Sequence, residues 1–170
     1  MRMFFLLRIA GFGVRYPADV RRLWFAALLV PCLAPTQAPT PTLAIFLSPG
    51  CPHNPAGVPH IETMRKSLAG AVKVIVVLPQ TKAEADKTAK ELGIKATILP
   101  DPERKLIRLS KATHSLDLAV LDRNGKLVKR WNGLGRKEMG EANAELRKLG
   151  IRKSMPTASL PASSLSGCGI

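Results

Sequence analysis

Cysteines, aromatic side chains and acidic groups are all scarce in this chain, and each scarcity closes off a class of protein. Three cysteines in 170 residues, Cys32, Cys51 and Cys168, are too few for a disulfide framework. There is no Cys-x-x-Cys zinc pair, no glycine-rich phosphate loop and no nucleophile-elbow serine. Acids number 12 against 26 Lys and Arg, a net charge of +14. The basic residues of the body (Lys82, Lys87, Lys90, Arg104, Lys105, Arg108, Lys129, Arg130, Arg136, Lys137) are dispersed, with no aromatics between them to stack on bases. They describe a solvated basic face and no specific nucleic-acid partner. Long hydrophobic runs are also missing. The longest, residues 23–34, would make a helix of about 18 Å, against the ~30 Å of a hydrocarbon core, so no stable transmembrane span is expected.

What is present at the amino end has the layout of an export signal. Five arginines fall in the first 22 residues, the apolar run follows Arg21 and Arg22 directly, and a Pro/Thr-rich stretch comes after it. Residues 1–40 are therefore expected to be a signal and linker that place the protein in the periplasm or another extracytoplasmic space. The alternative is an uncleaved segment that tethers it to the membrane. Residues 151–170 are rich in Ser, Pro and Ala without an apolar period, and are expected to form a disordered, mobile tail.

Between these ends, residues 41–150 alternate strands and helices. Residues 43–47 (LAIFL) form a buried strand that stops at Ser48-Pro49-Gly50. After Cys51, the spacing of Val58, Ile61, Met64 and Leu68 predicts an amphipathic helix closed by Gly70. Residues 72–78 (VKVIVVL) are the clearest strand. Thr81 and Glu84 then form a capping box for a helix carrying Ala85, Ala89 and Leu92 and ending at Gly93. A strand over 94–99 follows, and Asp101-Pro102 predicts the start of a short helix with Leu106 and Ile107. Residues 116–121 and 127–131 flank Asn124-Gly125, a hairpin signal. A last helix presents Met139, Ala142, Leu146 and Leu149. Parallel β-α-β units followed by a hairpin and a closing helix imply an α/β fold, a mixed sheet of about five strands flanked by helices.

This order, with a cysteine just after the first strand, resembles the thioredoxin superfamily. Cys51-Pro52-His53-Asn54 stands where that superfamily has Cys-x-x-Cys, and Pro59 where many redoxins have a helix-kinking proline. The stretch LDLAVLDRNGKLVKRWNG is similar to a redoxin segment, with Asp122, Gly125, Lys126 and Gly133 matching. The nearest pattern is the peroxiredoxin-like group, also called alkyl hydroperoxide reductase and thiol-specific antioxidant proteins, and Ser48 occupies its Thr/Ser position. The departures are equally specific. Asn54 replaces the second cysteine, Leu116 the cis-proline, and Ala44 the proline before the Ser/Thr. The arginine that polarises the peroxide and the usual N-terminal hairpin are absent. The active site is that of a degenerate member.

The resemblance implies thiol chemistry at Cys51. A helix N-terminus favours the thiolate, and a protonated His53 close by would add to that effect. Cys51 would attack a peroxide or a disulfide, supported by Ser48, Pro52, His53 and Pro59, with no cofactor. Cys168 is the possible resolving thiol; otherwise a reducing thiol protein or small thiol is the partner. An alternative comes from Ala112-Thr113-His114-Ser115, which resembles a segment of the thioredoxin-fold copper-delivery proteins. That likeness implies copper held by Cys51 and His114, although Pro55 stands at the second cysteine position. The imidazole of His53 would suit a third ligand, and the competing class is a non-catalytic binding module with this copper site or with no cofactor.

Overall fold

The first strand is buried on both faces, as a continuous apolar run without alternation requires. In the computed structural model, which describes residues 39–170, β1 (Thr42–Phe46) is the middle of five strands. The sheet order is β3-β2-β1-β4-β5. On one side β1 pairs in parallel with β2 (Lys73–Leu78), and β2 in parallel with β3 (Thr97–Pro100). On the other side β4 (Leu118–Leu121) and β5 (Leu127–Trp131) run antiparallel. The hairpin falls where Asn124-Gly125 put it. Gly125 takes φ +78°, and the Asp122 carboxylate accepts the amides of Asn124 and Lys126 at 2.8 and 2.9 Å.

Helices α1 (Asn54–Leu68), α2 (Lys82–Leu92) and α4 (Arg136–Lys148) cover one face, and α3 (Lys105–Ser110) covers the other. Leu43, Ile45 and Leu47 point into the larger core with Ile61, Met64, Leu68, Met139, Ala142 and Leu146. Ala44 and Phe46 point into the smaller one with Ile107 and Ala119. The predicted apolar stripes of α1 and α4 are thus the buried ones. The Thr81/Glu84 capping box forms, with the Thr81 amide 3.0 Å from the Glu84 carboxylate.

Four expectations need correction. The strand expected over 116–121 begins at Leu118, because Leu116 takes φ +71° outside the ladder. The third strand begins at Thr97 and not at residue 94. The short helix begins at Lys105 and not directly after Asp101-Pro102. The Asp101 carboxylate nevertheless does the capping, accepting the amides of Lys105, Leu106 and Ile107 at 2.7–3.0 Å across an intervening turn. Residues 151–170, expected to be mobile, lie against the domain. Ile151, Met155 and Leu160 are buried in the larger core, Leu165 packs on it, and Ile170 packs on the smaller core across the sheet. The irregular spacing of these apolar residues matches neither a helix nor a strand, because the segment is an extended strap whose anchors drop into gaps one at a time.

A buried asparagine fixes the strap. Asn143 on α4 accepts the Met155 amide through Oδ1 at 2.8 Å and donates from Nδ2 to the Met155 carbonyl at 2.9 Å. Among the described residues no helix is long and apolar enough to cross a membrane. The export segment expected over 1–40 lies, but for its last two residues, outside the described ones.

Candidate functional site

The loop from Ser48 to His53 carries the chain from β1 into α1 and sets Cys51 just before the first helical turn. The Cys51 amide donates to the Ser48 carbonyl at 3.3 Å, and the Asn54 amide to the Cys51 carbonyl at 3.1 Å. The cysteine is 5% exposed. Under it lies a ring of polar contacts that sequence reasoning did not find. The Ser115 hydroxyl donates to Asn54 Oδ1 at 2.6 Å and accepts the Ser48 amide at 3.0 Å. Asn54 Nδ2 then donates to the Ser48 carbonyl at 2.8 Å. Asn54 and Ser115 are both buried. The side chain that replaces the expected second cysteine is therefore a structural tie between α1 and the loop before β4.

That loop is braced by Asp117, also missed from the sequence. Its fully buried carboxylate accepts the amides of Thr113, His114 and Gly133 at 2.9, 3.2 and 2.9 Å, and the Arg130 guanidinium at 3.1 Å. The donors come from both flanks of the β4–β5 hairpin, so one ionised group fixes both. Leu116, at the position aligned with the cis-proline, is fully buried with φ +71°, and its amide donates to the Phe46 carbonyl at 2.7 Å.

Against this loop lies the strap. The Ser115 amide donates to the Cys168 carbonyl at 2.7 Å, the Gly167 amide to the Ser115 carbonyl at 2.9 Å, and the Ile170 amide to the Thr113 carbonyl at 3.0 Å. Residues 167–170 thus run antiparallel along 113–115. This pairing brings Cys168 to Cys51 across 117 positions of sequence, with the Cys168 amide 3.1 Å from Cys51 Sγ. Both cysteines are free; Cys51 is buried and Cys168 exposed.

The electrostatics follow from this packing. Burial pushes the Cys51 thiol up. The Cys168 thiol, the Cys168 amide and the His53 amide outweigh that effect by hydrogen bonding to its sulfur, so its pKa is lowered from the ordinary value. The Ser115 hydroxyl adds least. Cys168 moves the other way, raised first by its hydrogen bond to Cys51 and then by burial and the Cys51 charge. Within the pair, Cys51 is the better thiolate.

The remaining expected residues divide. Ser48 acts through its backbone at the centre of the ring. His53 is exposed, and its tie to Cys51 is its amide. Pro52 is exposed, and Pro59 sits inside α1, where its carbonyl accepts the Thr63 hydroxyl at 2.9 Å. His114 is exposed, with Nδ1 2.9 Å from the Thr113 hydroxyl. No group of three or more His, Cys, Asp or Glu that could hold a metal is gathered among the described residues.

No family model and no curated protein sequence matches the chain. Solved structures do. A chain from Chlorobium tepidum assigned as a thiol:disulfide interchange protein, DsbE, matches with a TM-score of 0.55 at 20% identity, covering 67% of this chain and 83% of that one. The exposed lipoprotein thioredoxin Etrx1 of Streptococcus pneumoniae matches at 0.55 and 22% identity, over 66% and 87%. The bacterioferritin comigratory protein of Xanthomonas campestris, with alkyl peroxide reduction activity, matches at 0.51 and 16%, over 67% and 80%. Likeness at such identities is a likeness of architecture, and it agrees with the five-stranded mixed sheet and its helices: the chain has a thioredoxin-like fold.

Proposed function

We propose that this protein is an exported thiol-based redox protein of the redoxin type, in which Cys51 reacts and Cys168 resolves. One observation carries the reading: two free cysteines 117 positions apart meet through a hydrogen bond, with the more acidic thiol at the start of α1. The solved neighbours assigned to thiol–disulfide interchange and to alkyl peroxide reduction support the same chemistry, as does the exposed lipoprotein for a site outside the cytoplasm. A fold by itself does not establish activity, so the argument rests on the thiol pair.

With a peroxide, the Cys51 thiolate attacks one oxygen. An S–O bond forms, the O–O bond breaks, and the leaving alkoxide or hydroxide takes a proton, leaving Cys51 as a sulfenic acid. The Cys168 thiolate then attacks the Cys51 sulfur, forming the S–S bond and expelling hydroxide, which is protonated to water. With a disulfide substrate, Cys51 forms a mixed disulfide and releases one substrate thiolate. Attack of Cys168 on the Cys51 sulfur releases the other. Both routes end in a Cys51–Cys168 disulfide, which a reducing thiol protein or small thiol must reopen.

The test is peroxide treatment of the reduced full chain, followed by peptide mass mapping. The expected product is a Cys51–Cys168 bridge, with trapped Cys51 sulfenic acid in the Cys168→Ser variant. Neither product forming at peroxide levels that oxidise a free thiol would end the proposal.

A further inference from the structure

Two parts of the strap are held in very different ways. Residues 151–161 are anchored by the buried side chains of Ile151, Met155 and Leu160, by the two hydrogen bonds of Asn143, and by Arg136, which donates to the Leu160 carbonyl at 3.2 Å and through its amide to the Pro161 carbonyl at 3.1 Å. Ala162 and Ser163 are exposed and separate this part from the next. Residues 164–170 have no fully buried side chain. Leu165 and Ile170 are half-buried, and Ser164, Ser166, Cys168 and Gly169 are exposed. They are held by backbone pairing of Leu165 with Leu134 in both directions at 2.8 and 2.9 Å and of residues 167–170 with 113–115, by the Ser164 hydroxyl on the Asn132 carbonyl at 3.1 Å, and by the half-buried Leu165 and Ile170 side chains.

This weakly anchored part occupies the approach to Cys51. A Cβ added at Gly167 would stand 2.9 Å from Cys51 Sγ and 2.8 Å from Ser115 Cβ, so the glycine backbone fills the space beside the sulfur. A reacting oxygen or sulfur must come within about 3–3.5 Å of that sulfur. The place it would take is the one Gly167 holds.

We propose that residues 164–170 are a lid over Cys51, closed by pairing with Leu134 and the 113–115 loop and lifted about a hinge at Ala162 and Ser163 to admit the reactant. The inference rests on the redox reading for what the lid admits, but not for the lid itself. A segment whose own side chains are exposed or half-buried and which lies beyond the last buried anchor, Leu160, is one that can open without global unfolding. The lid also carries Cys168, so a Cys51–Cys168 disulfide would bolt it shut, and only the reduced protein could open for the next reactant.

The test reads Cys51 alkylation in the reduced full chain by peptide mass mapping, which separates it from Cys32 and Cys168. Iodoacetamide is compared with a polymer-linked maleimide, in the unaltered protein, in a variant lacking residues 164–170 and in Gly167→Val. Both variants should raise the rate with the bulky reagent about tenfold or more, and should raise it more than the rate with the small one. A melting curve shows whether each variant is folded. Hydrogen exchange on the unaltered protein is independent of them: the amides of Ser115, Gly167 and Ile170 should exchange together and well before that of Met155. Unchanged alkylation in folded variants, or exchange of Ser115 and Ile170 only with global unfolding, overturns the lid. Bridge formation with unchanged alkylation sinks the lid alone. Faster alkylation of a Cys51 that peroxide never oxidises sinks the redox reading and leaves the lid standing.

Discussion

The backbone amide of Cys168 points at the sulfur of Cys51 from 3.1 Å and joins the two cysteine-bearing segments directly. It gives Cys51 a hydrogen-bond donor that a cysteine at a bare helix start lacks. It helps to lower the Cys51 thiol, whereas the Cys168 thiol is raised by a different contact, its own side-chain hydrogen bond to Cys51.

That relationship predicts a pH profile. The pKa of Cys51 is lowered, so the thiolate persists to lower pH than in a free cysteine, and its titration should centre below that of an ordinary thiol. A lowered pKa stabilises the folded state above the unfolded thiol value, and this contribution is lost as pH falls through the folded value. Cys168, being raised, contributes in the opposite direction, with its share lost as pH rises through its own folded value. In Cys168→Ala the side-chain donor is gone while the amide remains, so the Cys51 midpoint should move up. NMR titration of the Cys51 Cβ shift measures both; a midpoint at or above the ordinary thiol value, or one indifferent to Cys168→Ala, contradicts the assignment.

Asn143 should control whether residues 151–161 stay docked. Replacing it with Leu keeps the volume but leaves the Met155 amide and carbonyl without partners in a buried place. The expected cost is about 1–3 kcal/mol per orphaned group if the strap stays, so the strap should leave instead. Limited proteolysis would then cut between residues 151 and 161, where the unaltered protein is protected. Equal cleavage of the two proteins would show that the apolar anchors suffice without the asparagine.

Asp117 makes a sharper prediction. Its carboxylate has only donors around it, so Asp117→Asn turns one oxygen into a donor facing donors and leaves Arg130 without its counter-charge. Arg130 is a quarter exposed, so the cost comes mainly from the backbone amides left facing a donor, about 1–3 kcal/mol for each unsatisfied group. Denaturant unfolding should show a loss of that size. The amides of Thr113 and His114 should lose exchange protection before the rest of the sheet. A loss under 1 kcal/mol would mean that water replaces the carboxylate.

How far the sequence shows these features depends on how local their causes are. The apolar run of β1, the stripe of α1, the capping box at Thr81 and the Asn124-Gly125 turn are each written within a few neighbouring residues, and each forms. Cys51 was placed by the strand that precedes it. The ring of Ser48, Asn54 and Ser115 closes only when β1 and β4 are neighbours, and spans 61 positions between Asn54 and Ser115. Nothing in Asn-Pro-Ala or His-Ser-Leu announces it. The strap failed for a related reason: its polar composition matches a disordered tail, while its anchors and the Asn143 clamp are visible only with α4 in place. Asp117 left one trace, an acid set among the apolar residues of LDLAVL, which a reading for buried, multiply bonded carboxylates would have found.

Gly57 and Leu116 offer a test of how the site is packed. Gly57 is buried on α1, and a Cβ built there would overlap the side chain of Leu116, which reaches across from the loop that carries Ser115. The helix therefore approaches this loop closely only because residue 57 has no side chain. Gly57→Ala should gain helix propensity of up to about 1 kcal/mol, yet the overlap should outweigh it and destabilise the protein by about 1–3 kcal/mol. Leu116→Ala alone should cost about 2–5 kcal/mol by leaving a cavity. The double variant puts the new methyl into part of that cavity, so it should be less destabilised than the sum of the singles, with a coupling of about 0.5–3 kcal/mol. Because the loop positions both Ser115 and the amide that binds Cys168, Gly57→Ala should also raise the Cys51 pKa, and the double variant should bring it back. Additive energies, with a Cys51 titration unmoved in all three variants, would show that the helix and the loop adjust independently and that their spacing does not set the sulfur's environment.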